Sequence, residues 1–346
     1  MKVLFVEPYE YYSSLGVEKY FQGHELFFNG VKKYNKEFDQ EYDLVVSYLF
    51  HSEAANHLVL RAKKEGVNTM FLVDGVFDWA NSFENPKHKK LNLKQFHPIP
   101  HDYILCIGEC EKKYFEQQGV IAEKYLPKRI LNNQKPISLP IEERVLITTA
   151  NNPYFSNLEK DKLIDLLKEV ITQLKKKETK FIFRIFDKVL LDELSISEDD
   201  NFISESFEET LSKVNAVITT PSSIILTAMF HDRSVGTLIY RDVPLFLQSG
   251  WLIHQGCDVS TSLDNLISMD KDRMYFQEFH LKNYLEETPF DLEKMVTKHS
   301  RNYDLEEFVN NNMYNMLNSK FNINFEFKVR SAFSRLKKLK KKIFNK

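Results

Sequence analysis

Residues 216–229 of the chain read AVITTPSSIILTAM. The first four residues predict a short buried strand, and after the turn TPSS the next six are typical of a helix. At such a junction the free backbone N–H groups, the positive end of the helix dipole and two hydroxyls would point at one anion. Ser222 and Ser223 are therefore predicted to bind a phosphate or carboxylate, and helix capping by their hydroxyls is the alternative.

The length and composition predict a two-domain globular protein. The chain has 346 residues, 43% of them hydrophobic and 28% charged, with a net charge of −2. This length exceeds the usual size of one domain, and the charge does not indicate a nucleic-acid partner. The three cysteines do not form the pattern of a disulfide framework or a zinc site. The apolar run at the N-terminus, MKVLFVEP, is too short for a signal sequence, so we expect a cytoplasmic protein.

Short apolar runs alternate with amphipathic helical sequence, which predicts parallel sheets covered by helices on both faces. Tyr125 is followed by LPKRILNNQKPISLPIEER, a stretch with three prolines and no periodicity that predicts a linker. Ligands of two such tandem α/β domains should bind outside the carboxyl ends of the strands. The predicted strands are 2–6, 43–48, 69–73, 103–107, 144–149, 181–185, 201–204, 216–219 and 234–240, and the clearest helices are 158–175 and 207–214.

Asp74 and Gly75 directly follow the third predicted strand. An aspartate there, followed by a glycine that lets the backbone bend and a substrate approach, is well placed as a general base. The alternative is an ordinary Asp-Gly turn. The residues beyond it supply hydrogen-bonding groups and an aromatic ring suited to sugar binding, although Trp79 could equally belong to the core, and His51, after the second strand, could be a surface residue. The predicted acceptor-binding residues are His51, Asp78, Trp79, Asn81 and Glu84.

Polar residues also follow the strands of the second half of the chain. Hydroxyls, amides and one permanent cation would face the same crevice there. These groups would suit a binding site for the phosphate ester of a nucleotide. The predicted donor-binding residues are Thr149, Asn151, Asn152, Arg184, Thr220, Ser222 and Ser223.

Two tandem Rossmann-like domains, an Asp-Gly after a first-domain strand and a Ser-Ser turn before a second-domain helix resemble the GT-B glycosyltransferases. The resemblance is to the bacterial sialyltransferase-like and Kdo- or pseudaminic-acid-transferring group, over roughly residues 1–310. It implies that Asp74 is the catalytic base and that Ser222 and Ser223 bind the phosphate of a CMP-sugar. The His-Pro motif of that group should follow the strand that ends at Arg184, but the chain has its one His-Pro at His97 and Pro98.

The resemblance implies metal-independent transfer of a nonulosonic acid such as sialic acid, pseudaminic acid or Kdo onto a cell-surface glycan, with no cofactor beyond the nucleotide sugar. The alternatives are a UDP- or GDP-hexose transferase, a nucleotide-sugar epimerase and a non-enzymatic sugar-binding partner. Asp270 and Asp272 match the Asp-x-Asp of metal-dependent transferases, but they stand at a predicted helix start, where acids stabilise the dipole. The chain lacks Gly-x-Gly-x-x-Gly and a phosphate loop, so dehydrogenase and ATPase activities have no support.

The predicted domains are an acceptor domain at 1–132, a nucleotide-sugar domain at 133–300 and C-terminal helices with a basic tail at 301–346. Residues 328–346 read KVRSAFSRLKKLKKKIFNK, with apolar residues at three- and four-residue spacing among nine basic ones. This pattern favours an anionic membrane surface over a solvated helix or a nucleic-acid-binding tail. We therefore expect the protein on the inner face of the cell membrane, acting on a glycan or lipid-linked glycan and binding no nucleic acid.

Overall fold

The structure is a computed structural model that describes residues 1–30, 42–50, 52–90, 94–97, 99–131, 135–286 and 291–297, together with residues 332 and 336. Its first sheet has six parallel strands in the order β2-β1-β3-β4-β5-β6. The strands are β1 (Lys2–Phe5), β2 (Glu25–Phe27), β3 (Leu44–Ser47), β4 (Asn68–Leu72), β5 (Tyr103–Cys106) and β6 (Ile121–Lys124). The helices of this half are α1 (Tyr9–Leu15), α2 (Glu53–Lys64), α3 (Trp79–Glu84), α4 (Pro86–Lys90) and α5 (Glu109–Glu116), with a 3-10 helix at Val17–Lys19.

The second sheet has five parallel strands in the order β11-β10-β9-β7-β8. The strands are β7 (Arg144–Thr148), β8 (Lys180–Arg184), β9 (Ala216–Thr219), β10 (Ser234–Ile239) and β11 (Trp251–His254). The helices are α6 (Asn157–Lys176), α7 (Lys188–Glu193), α8 (Phe207–Leu211), α9 (Ile224–Phe230) and α10 (Val259–Ile267), with a 3-10 helix at Glu198–Asp200. The predicted pair of tandem parallel α/β domains is confirmed.

The chain returns to the first domain after the second sheet is complete, through α11 (Lys271–Leu285) and α12 (Leu292–Val296). On α11, Gln277 accepts a hydrogen bond from Val235 N at 2.9 Å and donates one to Arg233 O at 2.7 Å, which fixes the helix to the second domain. On α12, Leu292 and Met295 belong to the hydrophobic core under the first sheet. The returning helices therefore hold the two domains together.

Arg233 anchors the linker to the second domain. Its guanidinium is fully buried and donates only to backbone carbonyls, among them those of Ile137 and Ser138 in the linker and Leu211 at the end of α8. Burial lowers the pKa of this guanidinium to about 10, so it stays charged at neutral pH. A buried cation surrounded by carbonyl dipoles fixes the position of the chain that enters the second sheet.

The prediction of a strand at residues 201–204 is wrong. Asn201 forms only an isolated bridge with Phe183. Its side-chain amide instead exchanges two hydrogen bonds of 2.8 Å with the backbone N–H and carbonyl of Ile185, so the segment is a loop that closes on the end of β8. The strands β2, β6 and β11 were not predicted.

The predicted basic tail at 301–346 lies outside the described residues, except for Ala332 and Leu336, which are helical and exposed. Among the helices of the described residues, none combines the length and the hydropathy that a bilayer crossing requires.

Candidate functional site

The Asp74-Gly75 and Ser222-Ser223 segments meet across a cleft between the two domains. The first follows β4 at the carboxyl edge of the first sheet, and the second follows β9 at the carboxyl edge of the second. A methyl group in place of the Gly75 hydrogen would lie 3.9 Å from Ser223 Oγ. The two edges at which parallel sheets bind ligands therefore face each other at these residues.

Asp74 is half-exposed and faces a cation from the linker. Arg129 Nη1 lies 3.3 Å from Asp74 Oδ2, and the exposed fractions of the two side chains are 42% and 44%. An ion pair this exposed contributes about 0–1 kcal/mol, so a substrate can separate it at little cost. Asp74 is thus accessible from the cleft and close to a group that binds anions.

The serine hydroxyls at the start of α9 contribute little to capping that helix. Ser223 precedes the helix and makes no side-chain capping bond. Ser222 Oγ lies 3.5 Å from the backbone nitrogen of Ile224, at the limit of hydrogen-bonding distance. The capping alternative therefore does not account for Ser223, whose hydroxyl is available to a ligand, whereas Ser222 makes one long bond to the first turn of the helix.

A pocket of about 350 Å³, open solvent included, lies between the domains beside these serines. The first domain contributes Val76, Phe77 and Asp78 to its wall, and the second contributes residues of the 221–225 and 244–247 segments. The Phe246 ring reaches across and packs edge-on against Phe77, with 5.0 Å between ring centroids. The pocket is therefore mostly apolar and is bounded by a contact between the domains.

Two of the predicted donor-binding threonines are buried in the second domain. Thr220 Oγ1 accepts a hydrogen bond of 2.8 Å from Ala150 N, which ties the loop after β7 to the turn after β9. Thr149 is 2% exposed, and its hydroxyl has no hydrogen-bond partner within the described residues. Asn151 and Asn152 follow in the same loop and are exposed. Thr220 thus joins the two loops, and the two asparagines are accessible to solvent.

Arg184, another predicted donor-binding residue, is the last residue of β8. Its contacts lie within its own domain. Its Nη2 donates to Glu205 O at 3.3 Å, and its guanidinium lies 4.8 Å from the centre of the Phe186 ring and 5.8 Å from that of Phe207. Burial lowers the pKa of this guanidinium. The structure does not bring Arg184 into contact with the Ser222-Ser223 turn.

Asp78, predicted to bind the acceptor, forms an ion pair between the domains. Its carboxylate caps α3 by accepting from Ala80 N at 3.0 Å, and Arg241 Nη1 lies 3.0 Å from its Oδ2. The Arg241 side chain is 4% exposed and also donates to Tyr240 Oη at 2.8 Å. Asp78 therefore lies at the cleft and joins the two domains there.

The other predicted acceptor residues have contacts within the first domain. Trp79 stacks on Phe83, with 4.8 Å between ring centroids, and packs against the aromatic core of that domain. Asn81 accepts a bond of 2.8 Å from Asn85 Nδ2, and Glu84 pairs with Lys89. His51 lies outside the described residues.

Several residues near Asp74 were not predicted from the sequence. Tyr48, which follows β3, is half-buried, and burial together with the charge of Asp74 raises its pKa to about 12. The half-exposed ring of Tyr11 lies 5.7 Å from that of Tyr48. Arg129 could have been noted as one of few cations in the linker, but its proximity to Asp74 depends on the fold.

Asp270 caps α11 by accepting from Arg273 N at 3.1 Å, as expected for an acid at a helix start. Among the residues that the structure describes, no group of three or more His, Cys, Asp or Glu side chains is arranged to hold a metal ion.

No protein-family model matches the chain, and no curated protein matches it in sequence. Several solved structures are similar to it in fold, among them the following three. The UDP-GlcNAc 2-epimerase of Methanocaldococcus jannaschii, in complex with UDP-GlcNAc and UDP, is 12% identical, with a TM-score of 0.49 over 79% of this chain and 94% of that one. The lipopolysaccharide outer core galactosyltransferase WaaB is 14% identical, with a TM-score of 0.46 over 82% and 98%. The wall teichoic acid polymerase TagF is 13% identical, with a TM-score of 0.44 over 86% and 86%.

The fold of this chain is of the GT-B class. Two tandem parallel sheets, a linker between them, a cleft at their carboxyl edges and helices that return to the first domain together give this assignment.

Proposed function

We propose that this protein is a glycosyltransferase that moves a sugar from a nucleotide donor onto a hydroxyl group of a glycan without using a metal ion. One observation carries the proposal. The half-exposed carboxylate of Asp74 and the serines at the start of α9, of which Ser223 makes no capping bond, lie on opposite sides of one cleft, at the ligand-binding edges of two parallel sheets.

The reaction needs a base on one side of the anomeric carbon and groups that stabilise an anion on the other. Asp74 would take the proton of the acceptor hydroxyl as its oxygen forms a bond to the anomeric carbon. The bond from that carbon to the phosphate oxygen breaks at the same time, and its electron pair stays on the phosphate. The hydroxyls of Ser222 and Ser223 would donate hydrogen bonds to the phosphate as its charge develops.

We propose a nonulosonic acid carried by CMP as the donor, on the basis of the resemblance of the two short motifs. The chain lacks a His-Pro after β8, so any cation that contacts the phosphate must come from another element. A lipid-linked or cell-surface glycan is the proposed acceptor. The tail at 328–346 would hold the enzyme at the inner face of the membrane where such glycans are assembled.

A transfer assay with CMP-, UDP- and GDP-linked sugars, run with and without EDTA, tests the proposal. The wild-type protein should release nucleotide only when acceptor is present, whether or not EDTA is added. Asp74→Asn should lower kcat about 10²- to 10⁴-fold, the usual contribution of a general base. Asp242→Asn removes the same charge from an exposed position and serves as the control.

Two results would count against this function. If the Asp74→Asn variant keeps more than half of the wild-type kcat, Asp74 is not the general base. Conversion of a UDP-sugar to its epimer without acceptor would identify the protein as an epimerase instead.

A further inference from the structure

Arg129 occupies a fixed position at the start of the linker. The residues on either side are anchored, because Lys128 N donates to Leu15 O at 3.0 Å and Ile130 N donates to Pro127 O at 2.9 Å. The Ile130 side chain is buried in the core shared with the second domain. This backbone therefore presents Arg129 to the cleft in a defined place, while its side chain remains half-exposed.

The guanidinium of Arg129 has N–H donors that are available to a ligand. It lies 3.3 Å from Asp74 Oδ2, but within the described ranges none of its N–H groups makes a hydrogen bond of normal geometry. A guanidinium has five N–H donors in a fixed planar arrangement that matches two oxygens of a phosphate. Its current partner is thus a weakly held carboxylate, and an incoming phosphate could take its place.

The geometry around Gly75 brings this guanidinium and one serine together. A methyl group on Gly75 would lie 3.4 Å from Arg129 Nη2 and 3.9 Å from Ser223 Oγ. The nitrogen and the oxygen are therefore no further apart than the sum of those two distances. Charge-assisted hydrogen bonds are about 2.8 Å long, so a single phosphate between the two groups can accept one bond from each.

Other cations near the cleft are already engaged. Arg241 is 4% exposed and pairs with Asp78, and Arg184 contacts Glu205 and two aromatic rings of its own domain. The stem of Lys128, the neighbour of Arg129, lies against Gly16 in the first domain. Of these four cations, Arg129 is the one beside Ser223 with donors available.

We propose that Arg129 and Ser223 together clamp the phosphate that links the sugar to its nucleotide. This rests on the proposed function and names the cation that the leaving phosphate requires. Because Arg129 belongs to the linker and Ser223 to the second domain, a bound phosphate would be held by both. The clamp supplies positive charge to the phosphate without a metal ion.

Isothermal titration calorimetry tests the clamp with inorganic phosphate and with CMP, UDP and GDP, using cytidine, uridine and guanosine as phosphate-free controls. Arg129→Gln should weaken binding of phosphate and of the preferred nucleotide about 10- to 100-fold, the range for a hydrogen bond to a charged group. Ser223→Ala should weaken both in the same direction. Lys128→Gln removes the same charge from the next residue, keeps the stem that contacts Gly16, and should change neither affinity more than about twofold.

Gly75→Ala is a second test that does not alter either donor. The added methyl would make contacts of 3.4 and 3.9 Å, which the fold tolerates, but it would fill the space between the guanidinium and the hydroxyl. Thermal stability should stay close to that of the wild type while phosphate affinity falls. Equal phosphate affinity in Gly75→Ala and wild type would place the anion elsewhere.

The outcomes separate the clamp from the proposed function. If wild type and Arg129→Gln bind a nucleotide equally well, the clamp is wrong and the transferase remains. If wild type binds phosphate through Arg129 but no nucleotide in the panel, Arg129 and Ser223 form a phosphate site, but the transferase fails and the phosphate is not that of a nucleotide sugar. If wild type binds neither phosphate nor any nucleotide, both are overturned.

Discussion

Replacing Gly108 with alanine should loosen the contact between the first domain and the returning helix α11. Gly108 precedes α5 with a φ of 83° and a ψ of 165°, a conformation essentially restricted to glycine. The ring of Tyr284, on α11, lies directly over it. A Cβ atom at position 108 would fall 2.4 Å from Tyr284 Cε1 and 2.6 Å from Cδ1, so the ring would have to move.

Two effects add to the cost of Gly108→Ala. Holding a non-glycine residue at this φ and ψ costs about 1–3 kcal/mol, and inserting a methyl into a packed contact costs about 1–3 kcal/mol more. We therefore expect the free energy of unfolding to fall by about 2–6 kcal/mol. The Tyr284 hydroxyl also donates to the carbonyl of Phe246, whose side chain lines the pocket, so the displacement should raise the donor KM as well.

Urea denaturation measures the loss of stability, and Gly256→Ala is the matched control. Gly256 has a φ of 85° with nothing within 4 Å of its Cβ position, so that variant should lose only the backbone contribution, about 1–2 kcal/mol. In the background of Tyr284→Ala, the cost of Gly108→Ala should also shrink towards its backbone contribution. Equal losses for Gly108→Ala and Gly256→Ala would refute the packing of Tyr284 on Gly108.

Three further predictions concern the ion pair between the domains, a buried acid and the tail. Asp78→Asn removes the nearer of the two carboxylates that face buried Arg241, the other being that of Glu159, so urea denaturation should show a loss of about 1.5–3 kcal/mol; unchanged stability with a raised acceptor KM would instead support direct contact with the acceptor. Burial raises the pKa of Glu7 from 4.5 to about 7, so its protonated form stabilises the fold below about pH 4.5, and this contribution is lost as pH rises through about 7. The stability of wild type relative to Glu7→Gln should therefore fall by up to about 3 kcal/mol across that window, and a pH-independent difference would contradict the burial of a protonated acid. Deleting residues 327–346 should release the protein from anionic liposomes at low salt without loss of activity on a small soluble acceptor; equal sedimentation of both forms would contradict a membrane role for the tail.

The sequence predicts the central strands well because strands buried on both faces form continuous apolar runs. The interior strands β1, β3, β4, β5, β7, β9 and β10 have this character, and the edge strand β8 was predicted from its short apolar run at residues 181–183. The missed strands β2, β6 and β11 are at sheet edges, have three or four residues and contain polar side chains, so no run marks them. The segment at 201–204 shows the opposite error, because the hydrogen bonds of the Asn201 side chain replace a strand ladder.

The meeting of the Asp74-Gly75 and Ser222-Ser223 segments follows from the rule that parallel sheets bind ligands at their carboxyl edges, so the sequence was enough to suggest it. The contacts of the cations were not predictable in the same way. Arg241 pairs with Asp78, which is 163 residues away along the chain. The position of Arg129 depends on how the linker is anchored at both ends. Pairings of that kind arise from the packing of the two domains and leave no local pattern.

The most direct test of the account is a crystal structure of the protein with the nucleotide that binds it most tightly. We predict a phosphate group within hydrogen-bonding distance of Ser222 or Ser223 and of Arg129, with the Asp74 carboxylate facing it across the cleft. A nucleotide bound outside this cleft, or one whose phosphate contacts neither serine, would contradict the assignment of the site.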